Sequence, residues 1–281
     1  MQALVDSARR KESVLVAGLD PAPGRLPEGF RDRDLPEARA AYEFCRDILE
    51  AVEEYVCAVK LQSAYFERLG PPGIEAYANL IKNAGELGLP TISDVKRGDI
   101  GPVAAAYAEA QLSLYGATCV TVNPYMGKDA VLPFLQEARH LERGGGVFAL
   151  VATSNPSAPE LQDATRPPLY ELAARLVKDL GQESGEYLDA GAVVGVTRPE
   201  IGRRVRALLP HSLFLSPGYG AQGGGASEVR ALLDPRGGGV LVNSSRGILY
   251  AYEHSTGGYR EAAREASRNT RDRLKAAGAR T

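Results

Sequence analysis

Two lysines and two aspartates in this sequence have the types and spacing for acid–base and electrostatic chemistry. In SDVKRGDIG, residues 93–101, Asp94 and Lys96 stand two apart. On an extended segment that spacing sends both side chains to one face. Lys60, in AVKLQSAYFE, supplies a second ammonium if its own segment lies alongside. Asp99 completes a row of Lys, Asp, Lys and Asp, either by folding back or from another subunit. Such a row holds buried charge without net excess, because each ion is flanked by its opposite. It serves either as a structural salt-bridge staple or as a site that moves protons and stabilises charge.

A second cluster suits an anion. PGYGAQGGG, residues 217–225, precedes a helix expected to start near residue 226 or 227. Backbone amides freed by glycine and aimed from a helix start cradle a phosphate. Arg246, in NSSRG, is placed to give that phosphate a bidentate contact, and Gln222 to fold over it as a polar clasp. A plain flexible loop is the alternative. The remaining rare residues carry less: His140, His211 and His254 are far apart, and Cys45, Cys57 and Cys119 have no C-x-x-C spacing. Neither a zinc site nor a framework made only of internal disulfides is expected.

The elements that must position these groups recur in a rhythm. Short apolar runs at 14–19, 56–61, 90–95, 118–123, 147–153, 192–197, 213–216 and 240–243 read as strands. They are apolar on successive residues, the mark of strands covered on both faces. Helices are expected at 35–54, 73–87, 103–115, 129–142, 168–183, 198–208, 227–233 and 258–277. Eight strands alternating with helices predict an α/β fold, a closed (β/α)8 TIM barrel. An open doubly wound sheet is the competitor, but VAGLDPAPG after the first strand lacks the G-x-G-x-x-G turn. In a barrel the C-terminal strand ends carry the site. Those ends hold Asp20, Lys60 and Gln62, Asp94 and Lys96, Asn123, Thr153 with Ser154 and Asn155, and Arg246.

The chain's 281 residues suit one barrel domain spanning 1–281, and a 44% hydrophobic, 24% charged composition is ordinary for a globular protein. Lys plus Arg number 33 and Asp plus Glu 35, a net charge of −2 that suggests neither nucleic acid nor a membrane surface as partner. MQALVDSARRKES carries charges before any apolar run, unlike a secretory signal, and no run of about 18 apolar residues follows. A cytoplasmic protein is expected.

Lys60 in AVKLQSAYFE, the D-x-K-x-x-D array of SDVKRGDIG, SPGYGAQGG and NSSRGI together resemble the orotidine 5′-phosphate decarboxylase family. The match in order and spacing spans nearly the whole chain and is similar to the longer-chain bacterial subgroup. D-x-K-x-x-D is shared by related sugar-phosphate decarboxylases, which resemble this array but place a metal-binding carboxylate where Lys60 stands. The resemblance therefore implies a metal-free, cofactor-free lyase that converts orotidine 5′-monophosphate (OMP) to UMP and carbon dioxide, the last step of de novo UMP synthesis. It also implies roles. Lys96 protonates C6, Asp94 lies beside the departing carboxylate, and Lys60 holds Asp94 and a ribose hydroxyl. Asp99 reaches in from the partner of a homodimer, and Asp20 binds the ribose. Ser154 meets the pyrimidine edge, Gln222 bridges base and phosphate, and Arg246 with the Gly223 backbone grips the phosphate. One departure is Val103, where many members carry a threonine that reaches the neighbouring ribose. Three competing functions remain: a Schiff-base aldolase using Lys60 or Lys96, a metal-dependent sugar-phosphate decarboxylase, and a nucleotide-binding barrel without catalysis.

Overall fold

Runs of Val, Leu and Ala too short for helices pair side by side, because a strand apolar on both faces is stable only when both are covered. In the computed structural model, which describes residues 1–31, 36–142, 144–220 and 223–281, these runs form nine strands. They are β1 (Leu15–Leu19), β2 (Ala58–Gln62), β3 (Thr91–Arg97), β4 (Cys119–Val122), β5 (Gly146–Ala152), β6 (Glu183–Ser184), β7 (Tyr187–Val194), β8 (Ser212–Ser216) and β9 (Val240–Ser244). Eight run parallel in the order β5-β4-β3-β2-β1-β9-β8-β7, and a β5–β7 pairing closes the ring. The two-residue β6 is an antiparallel flap on β7. The chain is a (β/α)8 barrel.

The expected strands all form, with one displaced. The sixth barrel strand runs over Tyr187–Val194 rather than 192–197. Its start carries Asp189, a buried polar residue that interrupts the apolar run and is held by Arg139 at 2.6 Å. Helices Glu37–Val52, Pro71–Glu86, Lys128–His140, Leu169–Leu180, Pro199–Leu208 and Tyr259–Ala276 form the outer ring. Leu35, the expected start of the first of these, lies outside the described residues. The expected helix 103–115 is α-helical over Gly101–Ala108 and then widens to a π-helix over Glu109–Leu114. The expected 227–233 helix is one α turn, Ala226–Val229, followed by a 3-10 turn.

Strand alternation sorts side chains into an outer core under the helices and an inner column. Val16, Ala58, Ile92, Cys119, Phe148, Leu213 and Leu241 pack together inside the ring. Helix Gln2–Lys11 stoppers that column at the strands' N-terminal end, inserting Leu4, Val5 and Ala8. Its i, i+1, i+4 apolar face was absent from the expected elements. Two residues further along each inward column lies the opposite mouth of the barrel. There Gly18 follows Val16, Lys60 follows Ala58, Asp94 follows Ile92, Thr121 follows Cys119, Leu150 follows Phe148 and Asn243 follows Leu241. The apolar column thus gives way to polar groups at one end.

Candidate active site

A cavity of about 700 Å³ opens at that mouth. Asp20, Lys60, Asp94, Lys96, Ser154 and Arg246 line it, so six of the nine expected site residues converge.

Asp94 is the hub. Its Oδ2 accepts from Lys60 Nζ at 2.7 Å and Gln62 Nε2 at 3.1 Å. Its Oδ1 accepts from Lys96 Nζ at 2.5 Å and Thr121 Oγ1 at 3.0 Å. Burial alone would raise its pKa, but the two ammonium groups and their hydrogen bonds hold the carboxyl well below the usual carboxylate range. Lys60 shows the reverse balance: burial pushes it down, while Asp20, at 3.8 Å, and Asp94 outweigh burial and hold it above its ordinary value. The two lysines differ in reach. The Lys60 side chain is 5% exposed and sealed, whereas that of Lys96 is 43% exposed and open to a ligand.

Lys96 arrives by an irregular route. Two-residue alternation accounts for Asp94 but not for Lys96, whose φ of +49° places it in the left-handed region, at a cost on the order of 1 kcal/mol for a residue with a Cβ. The β3–β4 register records the same break: Ser93 pairs with Val120, and Arg97, four residues on, pairs with Val122, only two residues on. The two side chains converge because a bulge folds Lys96 back, not because the segment stays extended.

Asp20 sits in the loop after β1, which Tyr250 pins. The Tyr250 hydroxyl donates to the Asp20 carbonyl at 2.9 Å and accepts from Ala22 N–H at 2.8 Å. Burial pushes this phenol up to about 12, so it stays a neutral tether. Asp20 Oδ1 and Asn243 Oδ1 are buried without a hydrogen-bond partner. Ser154 follows β5 beside a clasp in which Gln162 bonds both the Thr153 amide, at 3.1 Å, and its hydroxyl, at 2.6 Å. Arg246 opens the short helix Arg246–Leu249 after β9.

Two expected residues stand apart, and a third is not described. Asp99 is outside the cavity of its own chain, and its Oδ1 accepts from the Ile100 amide at 2.8 Å. Gln222 lies outside the described residues. Gly223 does not line the cavity: its amide donates to Gly220 O at 2.9 Å, while the Gly220 and Gly224 amides go to Gly224 O and Gly218 O. The amides of Gly220, Gly223 and Gly224 are therefore paired within the loop, and the helix behind it is a single turn.

Other site residues were not expected. Thr121 and Gln62 complete the shell of Asp94, and Leu150, Val193, Leu215 and Pro217 give the cavity an apolar wall. Inward parity, counted two residues on from each buried column residue, would have found Thr121 and Leu150. Among the described residues no group of His, Cys, Asp and Glu side chains is placed to hold a metal ion.

This geometry can bind a ligand with an apolar part and an anionic part, with an exposed ammonium held beside a carboxylate that stays charged. A profile described as "Orotidine 5′-phosphate decarboxylase / HUMPS family" matches residues 14–259. The orotidine 5′-phosphate decarboxylase of Rhodopirellula baltica is 42% identical over 262 residues, covering 87% of this chain and 86% of its own. That of Roseiflexus castenholzii is 41% identical over 283 residues, covering 98% and 97%. The solved structure of Leishmania donovani OMP decarboxylase superposes with a TM-score of 0.80 at 31% identity, covering 99% of this chain and 98% of that one.

Proposed function

The chain belongs to the orotidine 5′-phosphate decarboxylase family, whose members are carboxy-lyases converting OMP to UMP in pyrimidine biosynthesis, and we propose that the Lys60–Asp94–Lys96 array carries out this conversion. The observation that supports the reading most is Asp94 held between two ammonium groups, at 2.7 and 2.5 Å, on the wall of a nucleotide-sized cavity.

Loss of carbon dioxide breaks the C6–carboxylate bond and leaves its electron pair on C6, where the pyrimidine offers no ready electron sink. Catalysis then has to come from fixed charge and a prompt proton. Lys96, the exposed ammonium, gives its proton to C6, and solvent restores it. Asp94 stays charged beside the departing carboxylate, while buried Lys60 keeps Asp94 in place and reaches a ribose hydroxyl. Asp20, which lines the cavity, takes the ribose. Ser154 meets the pyrimidine edge against the apolar wall, and Arg246 takes the phosphate with Gln222. A contact from the Gly223 amide requires its turn onto Gly220 to open. Binding energy gained at the remote phosphate is then available to the reacting end.

We further propose a homodimer in which Asp99 enters the partner's cavity. Ile100, Val103 and Tyr107 are 57%, 45% and 37% exposed immediately after Asp99, and Tyr125 and Met126 add to the exposed apolar surface. Such an apolar face supports burial against a second copy. Val103, lacking a hydroxyl, would pack there rather than bond a ribose. Cys45, Cys57 and Cys119 are buried and form no disulfide among the described residues, which supports a reducing, cytoplasmic setting.

The test is loss of orotidylate absorbance on addition of purified protein, with and without EDTA. Equal turnover in both is the expected result. No turnover would overturn the reading, and chelator-sensitive turnover would overturn its metal-free chemistry. For the shared site, mixing Lys96→Ala and Asp99→Ala proteins should restore activity that neither has alone, because one cavity of each hybrid is then intact.

A further inference from the structure

We propose that Thr121 is a positioning residue for the proton donor, an inference that rests on the reading of Lys96 given above. Among the described residues two without glycine's freedom have positive φ, Glu12 and Lys96. Glu12 merely ends a helix, its amide returned to Ala8 O and Arg9 O. Lys96 lies within a strand and needs another restraint. Thr121 supplies it: Oγ1 accepts from the Lys96 amide at 2.9 Å and donates to Asp94 Oδ1 at 3.0 Å.

A hydroxyl has one proton, and here it is committed to the carboxylate, so the oxygen is left to accept from the amide. The same Asp94 Oδ1 accepts from Lys96 Nζ at 2.5 Å. The result is a closed circuit: Lys96 amide, Thr121 hydroxyl, Asp94 carboxylate, Lys96 ammonium. Both ends of the Lys96 residue are thereby fixed relative to one carboxylate oxygen. Thr121 is 1% exposed yet lines the cavity, so its hydroxyl serves the site rather than the outer packing. The strand pairing beyond it is independent of the side chain, since Asn123 N–H still reaches Arg97 O at 2.7 Å.

Thr121→Val keeps shape and branching but strands the Lys96 amide and removes one of the two hydrogen bonds to Asp94 Oδ1. Removing a hydrogen bond to a charged group predicts a fall in kcat of roughly 10- to 100-fold. KM for OMP and the Kd for UMP should stay within about 2-fold, because Lys60 and the phosphate contacts are untouched. Thr121→Ser, which returns the hydroxyl, should restore most of kcat, and Thr121→Ala should behave like valine should the valine variant not fold. Wild-type kcat in Thr121→Val, or equal losses in the serine and valine variants, overturns the proposal. So does a rise in KM matching the loss in kcat. Lys96→Ala run in parallel separates the two claims. If that variant keeps its kcat, the donor assignment fails; if it is inactive while Thr121→Val turns over normally, only the positioning role fails.

Discussion

The two ends of this barrel both bury charge, and they do so differently. At the N-terminal floor, Arg206 donates to the carbonyls of Leu232, Leu209, Ser212 and Gly239 at 2.7 to 3.0 Å, with its guanidinium 3.6 Å from the Phe214 ring centre. Asp234 accepts from the Tyr187 hydroxyl and from the Arg236 and Gly238 amides. Burial lowers Arg206 to about 10 and raises Tyr187 to about 12, yet neither group lines the mouth cavity. At the mouth, Asp94 is equally well served, but Asp20 Oδ1 and Asn243 Oδ1 have no hydrogen-bond partner, and Lys96 faces 700 Å³ of space. Buried or perturbed charge therefore does not by itself mark a site. An accessible charge facing a cavity, as Lys96 is, does.

The contrast breaks most visibly at Lys96. Lys96→Ala should lower kcat by about 10³-fold or more, near the upper range of general-acid contributions. The Kd for UMP, read by calorimetry, should change only a few-fold, since the alanine leaves the phosphate and base contacts in place. Near-normal turnover would make the mouth as structural as the floor. The converse substitution is Arg206→Met. Removing one partner from a saturated buried charge network should cost roughly 3–5 kcal/mol in urea unfolding, while kcat per folded molecule stays at the wild-type value. A loss of kcat without a loss of stability would overturn the division.

The same division explains what could be read from the amino-acid order. Strands β1, β5 and β8 announce themselves as apolar runs, which a sheet covered on both faces demands, and β2, β3, β4 and β9 as short apolar runs joined by polar residues at the positions that face the mouth. The run in β7 is broken by Asp189, whose solvation is replaced by Arg139, a contact 50 residues away that no local pattern encodes. The array of Lys60, Asp94 and Lys96 was visible as types and spacing, but the turn that brings Lys96 in is not. Alternation predicts its direction for the wrong reason, because the left-handed φ comes from a bulge against β4. Thr121 was within reach of simple counting, two residues after Cys119 on an inward column. In the Gly-rich loop, composition shows that amides are free to turn toward an anion but not which carbonyls the Gly220, Gly223 and Gly224 amides bond instead. Helix Gln2–Lys11 is not among the expected elements because its apolar face, Leu4, Val5 and Ala8, is narrow and set among charged residues.

Acid should act on both ends, and one substitution separates them. Asp94 and Asp234 are each held below the ordinary aspartate value of 3.8 in the folded chain. A carboxyl with a depressed folded pKa contributes stability that is complete above its unfolded value and is lost as pH falls through the folded one. Stability in urea should therefore decline as pH drops below about 4. Asp94→Asn, already weaker at neutral pH because it strands Lys60, should show a shallower acid decline that retains only the floor's share. An unchanged slope below pH 4 would mean that the mouth aspartate contributes nothing to acid sensitivity.

The smallest effect expected is the one that tells the two ends apart with a single methyl group. Gly195, just beyond β7, lies so close to the chain after β5 that an added Cβ would sit 2.8 Å from Ser154 Cβ and 3.0 Å from its Cα. Ser154 belongs to a loop that can yield, so Gly195→Ala should shift its hydroxyl rather than unfold the barrel. Loss of one neutral hydrogen bond to the pyrimidine predicts a rise in KM of roughly 3- to 10-fold, with kcat nearly unchanged. Gly239, at the floor, presents the opposite case. Its φ is +79°, and an added Cβ would lie 3.0 Å from Arg206 Nη2, part of a guanidinium already bound to four carbonyls and unable to yield without breaking them. Gly239→Ala should therefore lower the unfolding free energy by about 1–3 kcal/mol and leave KM alone. A methyl that alters binding at one end and stability at the other follows only if the mouth keeps slack for a ligand and the floor keeps none. The same response from both variants would show that the two ends share one mechanical role.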